Sequence, residues 1–317
     1  MAKNNSYSLL KLTAAIMVIV SHIRPISTRE VNSVSSFLGK FAVSIFFVIS
    51  GYFITKSCIG ADAKTYFVKR IKRIFPPLII MLFITTFLIA PIFYDKSLFT
   101  YLNSGSILYF VKNSLLITTH KISGVFANNV YSDSINGSLW TIPVEFLCYI
   151  GIFILYKLKI LEKKNLKLQI CLLGCGLLVA ALLINNALFI PLSLALIFYM
   201  SGLFYIHKDK IKFDLKLTLG LTVIFIIATI LGYFDIAKIT ILPYIILSIG
   251  CNFKFHIPVL EDITYEIYLY SFFIQQCVCA LFKGHMNMYL NLVIALPIIL
   301  IIAYFTNKLN KLVMKHI

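Results

Sequence analysis

Charge is what this sequence has least of. Only 13% of its 317 residues are Asp, Glu, Lys or Arg, and just 12 of them are acidic. A soluble domain of this size needs a polar surface. A chain that is 60% hydrophobic, with mean hydropathy +0.92, has too little to make one. Metal-ligand sets are lacking too. The seven cysteines fall almost entirely inside apolar runs. Cys171 and Cys175 share a helix face, but no His or acid nearby completes a set, so no metal is expected and the cysteines read as small core residues. The first apolar run lacks a small-residue cleavage site and is followed by further runs, so no cleavable leader is expected. No long polar block remains for a separate soluble domain. Nor do paired Gly/Pro-broken helices stand in matching halves, as a transporter would favour.

What is present is a series of apolar runs, several reaching the ~20 residues that cross a bilayer. They predict an all-α polytopic membrane protein of about ten transmembrane helices, near 8–24, 37–56, 76–94, 138–157, 168–185, 187–206, 215–234, 236–251, 264–283 and 288–308. Tight turns at Asn185-Asn186 and Asp235 make antiparallel hairpins of spans five to eight. The formal charge of +17 raises nucleic acid as a partner, but the lysines cluster in short loops between spans. With the N-terminus inside, the inner segments carry 20 of the 29 Lys and Arg, from Lys3 onward, and the outer ones 8. That asymmetry predicts an N-in, C-in chain whose partner is the lipid bilayer and not nucleic acid. The longest loop, about 95–137, is then outside. Its apolar run Ile107 to Thr119 is too short to span and reads as re-entrant or interfacial, and its end, Ser132-Asp-Ser-Ile-Asn-Gly137, is placed to lid or line a pocket.

Three ionisable constellations stand out against the apolar background. Lys11 and His22 are 11 positions apart on the first helix. At about 100° per residue they share a face, ~16 Å apart along the axis. Ala14, Ala15 and Val18 lie between them and predict a shallow channel. Glu145 falls about two turns into the fourth span, at a depth comparable to His22. A carboxylate beside a histidine is the arrangement a general base needs. The bland alternatives are an interfacial histidine and an acid paired with some other helix, and the sequence leaves them open. Intramembrane ionisable residues favour function. Arg70 and Arg73, at i,i+3 just before Pro76-Pro77, share a face at the cytoplasmic entrance. They fit a bidentate phosphate clamp, or ordinary positive-inside anchoring. Taken together, these groups suit a cytoplasmic phosphorylated donor whose reactive end points outward.

At this point the residues resemble a family. The basic residue, ten residues, then His pattern (Lys11, His22), the helix Gly39-Lys-Phe-Ala-Val-Ser-Ile-Phe-Phe-Val-Ile-Ser-Gly-Tyr-Phe-Ile54, the segment Lys69 to Pro76 and the segment Asn136-Gly-Ser-Leu-Trp140-Thr-Ile-Pro-Val-Glu145 are similar, in order, to acyltransferase family three. Ile263-Thr-Tyr-Glu-Ile-Tyr-Leu-Tyr270 is a weaker fifth match. The family comprises bacterial integral-membrane acyltransferases of about ten spans. The resemblance implies transfer of an acetyl group from cytoplasmic acetyl-CoA, or another acyl-CoA, to a hydroxyl of a cell-surface polysaccharide or lipid-linked glycan, in the bacterial inner membrane. It makes His22 the essential histidine, Arg70 and Arg73 the donor-side arginines and Glu145 the acid after the tryptophan. The chain departs at Lys11, where the family usually has Arg, and at Ser271, where many members have a second histidine. Two alternatives from other classes are a lipid-linked glycan flippase or transporter, and a non-catalytic partner in polysaccharide export.

Overall fold

The computed structural model describes residues 6–132, 134–255, 257, 260, 262–284 and 286–315. Lys3 and Asp133, which entered the charge count and the loop motif, lie outside the described residues. Every regular element among the described residues is helical. The helices are α1 (Tyr7–Thr28), α2 (Ser33–Cys58), α3 (Ala63–Phe83), α4 (Leu98–Tyr101), α5 (Ile107–Ser114), α6 (Thr141–Lys157), α7 (Leu166–Leu182), α8 (Phe189–Ile206), α9 (Leu215–Ile230), α10 (Phe234–Thr240), α11 (Leu242–Asn252), α12 (Thr264–Leu281) and α13 (Met288–Val313). Among the described residues six helices are long and apolar enough to cross a membrane, and seven if the pair α10 and α11, bent by 50°, counts as one span. Pro243 at the start of α11 accounts for the bend, because it cannot donate the helical hydrogen bond.

The sequence predicts a third span from about residue 76 with Arg70 and Arg73 on one helix face before it, and α3 begins at Ala63 and runs through Pro76 and Pro77. Arg70 and Arg73 therefore sit on the same rod as the apolar segment. The two prolines leave the carbonyls of Lys72 and Arg73 without their helical donors. Beyond Phe83 the helix widens into a π-helical turn, Ile84–Ile89, then tightens over Ala90–Phe93. The small face of α1 differs from its expectation. Ala14, Ala15 and Val18 are fully buried, so that face is packed and is not an open channel. Small side chains let neighbouring helices approach closely in a membrane, which is the commoner use of such a stripe.

The chain divides into two compact units. The first comprises Met1–Ala14, Val43–Arg70 and Val144–Ile257. Within it α2 meets α8 without a side chain between them: a Cβ on Gly51 would collide with the backbone of Phe198. Gly51→Ala is accordingly expected to cost about 1–3 kcal/mol, the usual penalty of overpacking. Thermal unfolding in detergent checks this, and an unchanged melting temperature would count against the close contact. In the same unit α7 is the most exposed of the long apolar helices, with 11% of its apolar window buried, as a lipid-facing helix should be.

The second unit comprises Ala15–Ala42, Ile71–Pro143 and Pro258–Ile317. Its centre is α12, which pairs with α13. The side chains of Gln275 and Gln276 on α12 are wholly buried. Gln275 donates to the Ile19 carbonyl of α1 at 3.0 Å, while Asn291 of α13 donates to the Gln275 carbonyl at 3.1 Å. Amides are costly in an apolar interior unless bonded, so these contacts fix how the three helices meet. The long loop belongs to this unit. Gln276 donates to the carbonyls of Tyr131 and Ser134, both at 2.6 Å, and accepts from Asn129 at 2.8 Å. Within the loop α5 presents Ile107, Leu108 and Val111 outward and buries Tyr109 and Asn113, the pattern of an interfacial helix.

Candidate active site

His22 lies on α1 within the second unit. Pro25 follows less than one turn later and leaves the Ser21 carbonyl without its helical donor. The imidazole is half-buried. Its Nδ1 is shut off from solvent and has no hydrogen-bond partner among the described residues. The ring meets Phe272 of α12 edge-on, with centroids 5.0 Å apart. Phe272 in turn meets Tyr131 of the long loop at 5.9 Å. Three aromatic rings thus run from His22 on α1 through Phe272 on α12 to Tyr131 of the loop.

The fourth motif explains how Phe272 reaches the histidine. A Cβ on Gly137 would come within 2.7 Å of the Phe272 ring, so only glycine leaves the ring its place. Asn136 donates to the Leu269 carbonyl at 2.8 Å, and Tyr268 donates to the Ser138 carbonyl at 2.7 Å. The fourth and fifth motifs are therefore interlocked around α12. Ser271, at the position where the resemblance implies a second histidine in many members, is fully buried and turns its hydroxyl back to the Tyr268 carbonyl at 3.1 Å.

Glu145 lies one turn into α6, not two, because the helix begins at Thr141. It belongs to the first unit, whereas His22 belongs to the second. Its carboxylate accepts from Ser50 at 3.0 Å and from the Tyr149 hydroxyl at 2.5 Å through the same oxygen, Oε1. Arg70 is part of this group too. Its guanidinium lies over the rings of Tyr66 and Tyr149, at 5.7 and 5.9 Å from their centroids, and donates to Ser57 at 3.1 Å. Tyr66 closes the set by donating to the Tyr149 carbonyl at 2.9 Å. Both tyrosines are fully buried. Stacking of this kind holds a planar guanidinium in one orientation.

The remaining residues are placed more simply. Lys11 is half-buried on α1, in the first unit, and Arg73 is exposed on α3, in the second. Sequence reasoning missed Ser50, Ser57, Tyr66 and Tyr149. Only Tyr149 had a readable signal, its i,i+4 spacing from Glu145 on one helix.

A family profile described as an acyltransferase domain matches residues 4–308, and the chain belongs to that family. With its long apolar helices it is a multi-pass membrane protein. Over 153 residues it is 39% identical to an O-acetyl transferase of Shigella phage Sf6, a stretch covering 47% of this chain and 45% of that protein. The chain thus matches less than half the length of this relative. No solved structure matches the chain significantly.

Proposed function

We propose that the protein moves an acyl group, acetyl in the simplest case, from cytoplasmic acyl-CoA to a hydroxyl of a cell-surface polysaccharide or lipid-linked glycan. Membership of the family supports acyl transfer, and the name of the phage relative, O-acetyl transferase, supports an oxygen acceptor. In this reading the chain crosses the bacterial inner membrane ten times with both termini inside. Arg70 and Arg73 bind the donor's phosphates. Lys11 neutralises charge along the pantetheine path or near the thioester.

His22 takes the proton of the acceptor hydroxyl. The freed oxygen attacks the thioester carbonyl carbon, the carbon–sulfur bond breaks, and CoA leaves as a thiol carrying the proton His22 returns. In a second route an imidazole nitrogen attacks the thioester carbonyl, the carbon–sulfur bond breaks and CoA leaves as a thiol with the ring proton; the acceptor hydroxyl then attacks the acyl-imidazole, the carbon–nitrogen bond breaks and the hydroxyl proton returns to the ring. Glu145 supplies the intramembrane carboxylate of the site. The observation that carries the reading is the state of His22. Its Nδ1 has no hydrogen bond among the described residues; a buried ring nitrogen so left is costly in a membrane interior, and a proton-transfer role gives it a purpose.

The bent pair α10 and α11 favours one competing reading, a flippase, since discontinuous helices line transport sites. Labelled acetyl-CoA given to the purified protein with glycan acceptor separates the two. Label in the glycan supports acyl transfer, and translocation without label supports the flippase. Within the acyltransferase reading, Lys11→Arg is expected to transfer at least as fast as the native chain, because the planar fork binds oxyanions in a bidentate manner. Lys11→Ala is expected to fall by about tenfold, the scale of one charge-assisted hydrogen bond. A Lys11→Ala protein of native activity would remove Lys11 from the donor path.

A further inference from the structure

We propose that Tyr149 is a positioning residue that ties the Glu145 carboxylate to the donor-side guanidinium of Arg70. The inference rests on the acyltransferase reading for its kinetic consequence and on the geometry alone for the tie. One buried side chain meets both groups at once, through different parts of its structure. The hydroxyl donates to Glu145 Oε1 at 2.5 Å, and the ring lies under the Arg70 guanidinium at 5.9 Å. Neither contact is a by-product of loose packing. The Tyr149 backbone is held by the Tyr66 hydroxyl at 2.9 Å, and its ring is flanked by Phe198 at 6.0 Å and Phe146 at 6.4 Å.

Glu145 and Tyr149 are one turn apart on α6, so the hydroxyl contact needs no help from elsewhere. Arg70 arrives from α3 and is oriented by Ser57 of α2 and by Tyr66 of its own helix. Tyr149 is therefore the junction at which α3 and α6 share one side chain. The two halves of its role are chemically separable. The hydroxyl acts on the acid, and the aromatic face acts on the arginine.

Tyr149→Phe removes the first half and keeps the second. The ring and its aromatic neighbours remain, so the variant should fold. Expected is a fall in kcat on the order of tenfold, the scale of a hydrogen bond to a charged group. The KM for acyl-CoA should stay within about twofold, because the π face that orients Arg70 is intact. Tyr149→Leu removes both halves, and here the KM for acyl-CoA should also rise, by about fivefold. A Tyr149→Phe protein with native kcat, or one whose KM rises while kcat holds, would overturn the proposal.

A second measurement does not depend on the reaction. Melting temperatures are taken for Tyr149→Phe, Glu145→Ala and the double variant of the full chain in detergent. If the tie exists, the double variant should melt close to the weaker single one. Fully additive shifts would overturn the tie. Should the native protein transfer no acyl group, the functional reading falls while this cycle still decides the link between Tyr149 and Glu145.

Discussion

Replacing His22 with Ala is expected to abolish acyl transfer, lowering the rate by at least about 100-fold, while the protein stays in the membrane at its native level. A positioned general base contributes about 10²–10⁴-fold, and an acyl-carrying imidazole cannot be bypassed at all. The structural cost should be small. The ring is half-buried, its Nδ1 makes no hydrogen bond among the described residues, and it meets Phe272 in a T-shaped contact. The measurement is O-acetyl content of the surface glycan alongside membrane abundance and melting temperature. His22→Gln is the companion variant. It keeps a hydrogen-bonding side chain in place but neither accepts a proton nor carries an acyl group, and it should be as inactive as the alanine. Native O-acetylation in either variant would remove His22 from the chemistry. Lost protein in both would return the histidine to a structural role.

Arg70→Ala is expected to lower kcat/KM for acyl-CoA by about 10–100-fold, with the effect mainly in KM. Hydrogen bonds to charged groups are worth about 1.5–3 kcal/mol, and each 1.4 kcal/mol is a factor of ten. Arg70→Lys should recover little of this. Lysine restores the charge but not the planar surface that lies on Tyr66 and Tyr149, nor the fork that meets a phosphate in a bidentate manner. The exposed Arg73 makes a useful contrast. Its contribution should weaken as salt is raised, because exposed charges are screened over about 8–10 Å. An Arg70→Lys protein with native donor KM would mean that only the charge matters, and the stack would be structural.

Much of this was legible in the sequence because membranes impose simple rules. A backbone in hydrocarbon must satisfy its own hydrogen bonds, so long apolar runs become helices. Each of the ten expected segments does contain helix, although only six or seven candidates meet a length-and-hydropathy test. The shortfall has local causes. α6 is 17 residues long and α9 is 16, while α12 carries Glu266, Gln275 and Gln276 inside it. The double proline marks the expected edge of the third span, but the sequence does not show that α3 passes through it without a break.

The motifs mark the residues of the candidate site, but not how they are held. Asn136 and Gly137 serve the surroundings of His22 through Leu269 and Phe272, while Glu145, nine residues on, is held by Ser50 and Tyr149 in the other unit. Contacts between residues 95 positions apart, such as Ser50 with Glu145, leave no periodic trace in a single chain. Gly51 shows the same limit. Its place beside Ser50 is visible in the sequence, but the Phe198 backbone that demands a glycine lies on α8, six helices further on.

The most direct test reconstitutes the purified full chain in vesicles with the glycan acceptor and supplies acetyl-CoA carrying label in its acetyl group. The account predicts label in the glycan as an O-acetyl ester, with one free CoA thiol released for each ester formed and neither product from His22→Ala. Glycan left unlabelled by the native chain while acetyl-CoA stays intact would contradict it.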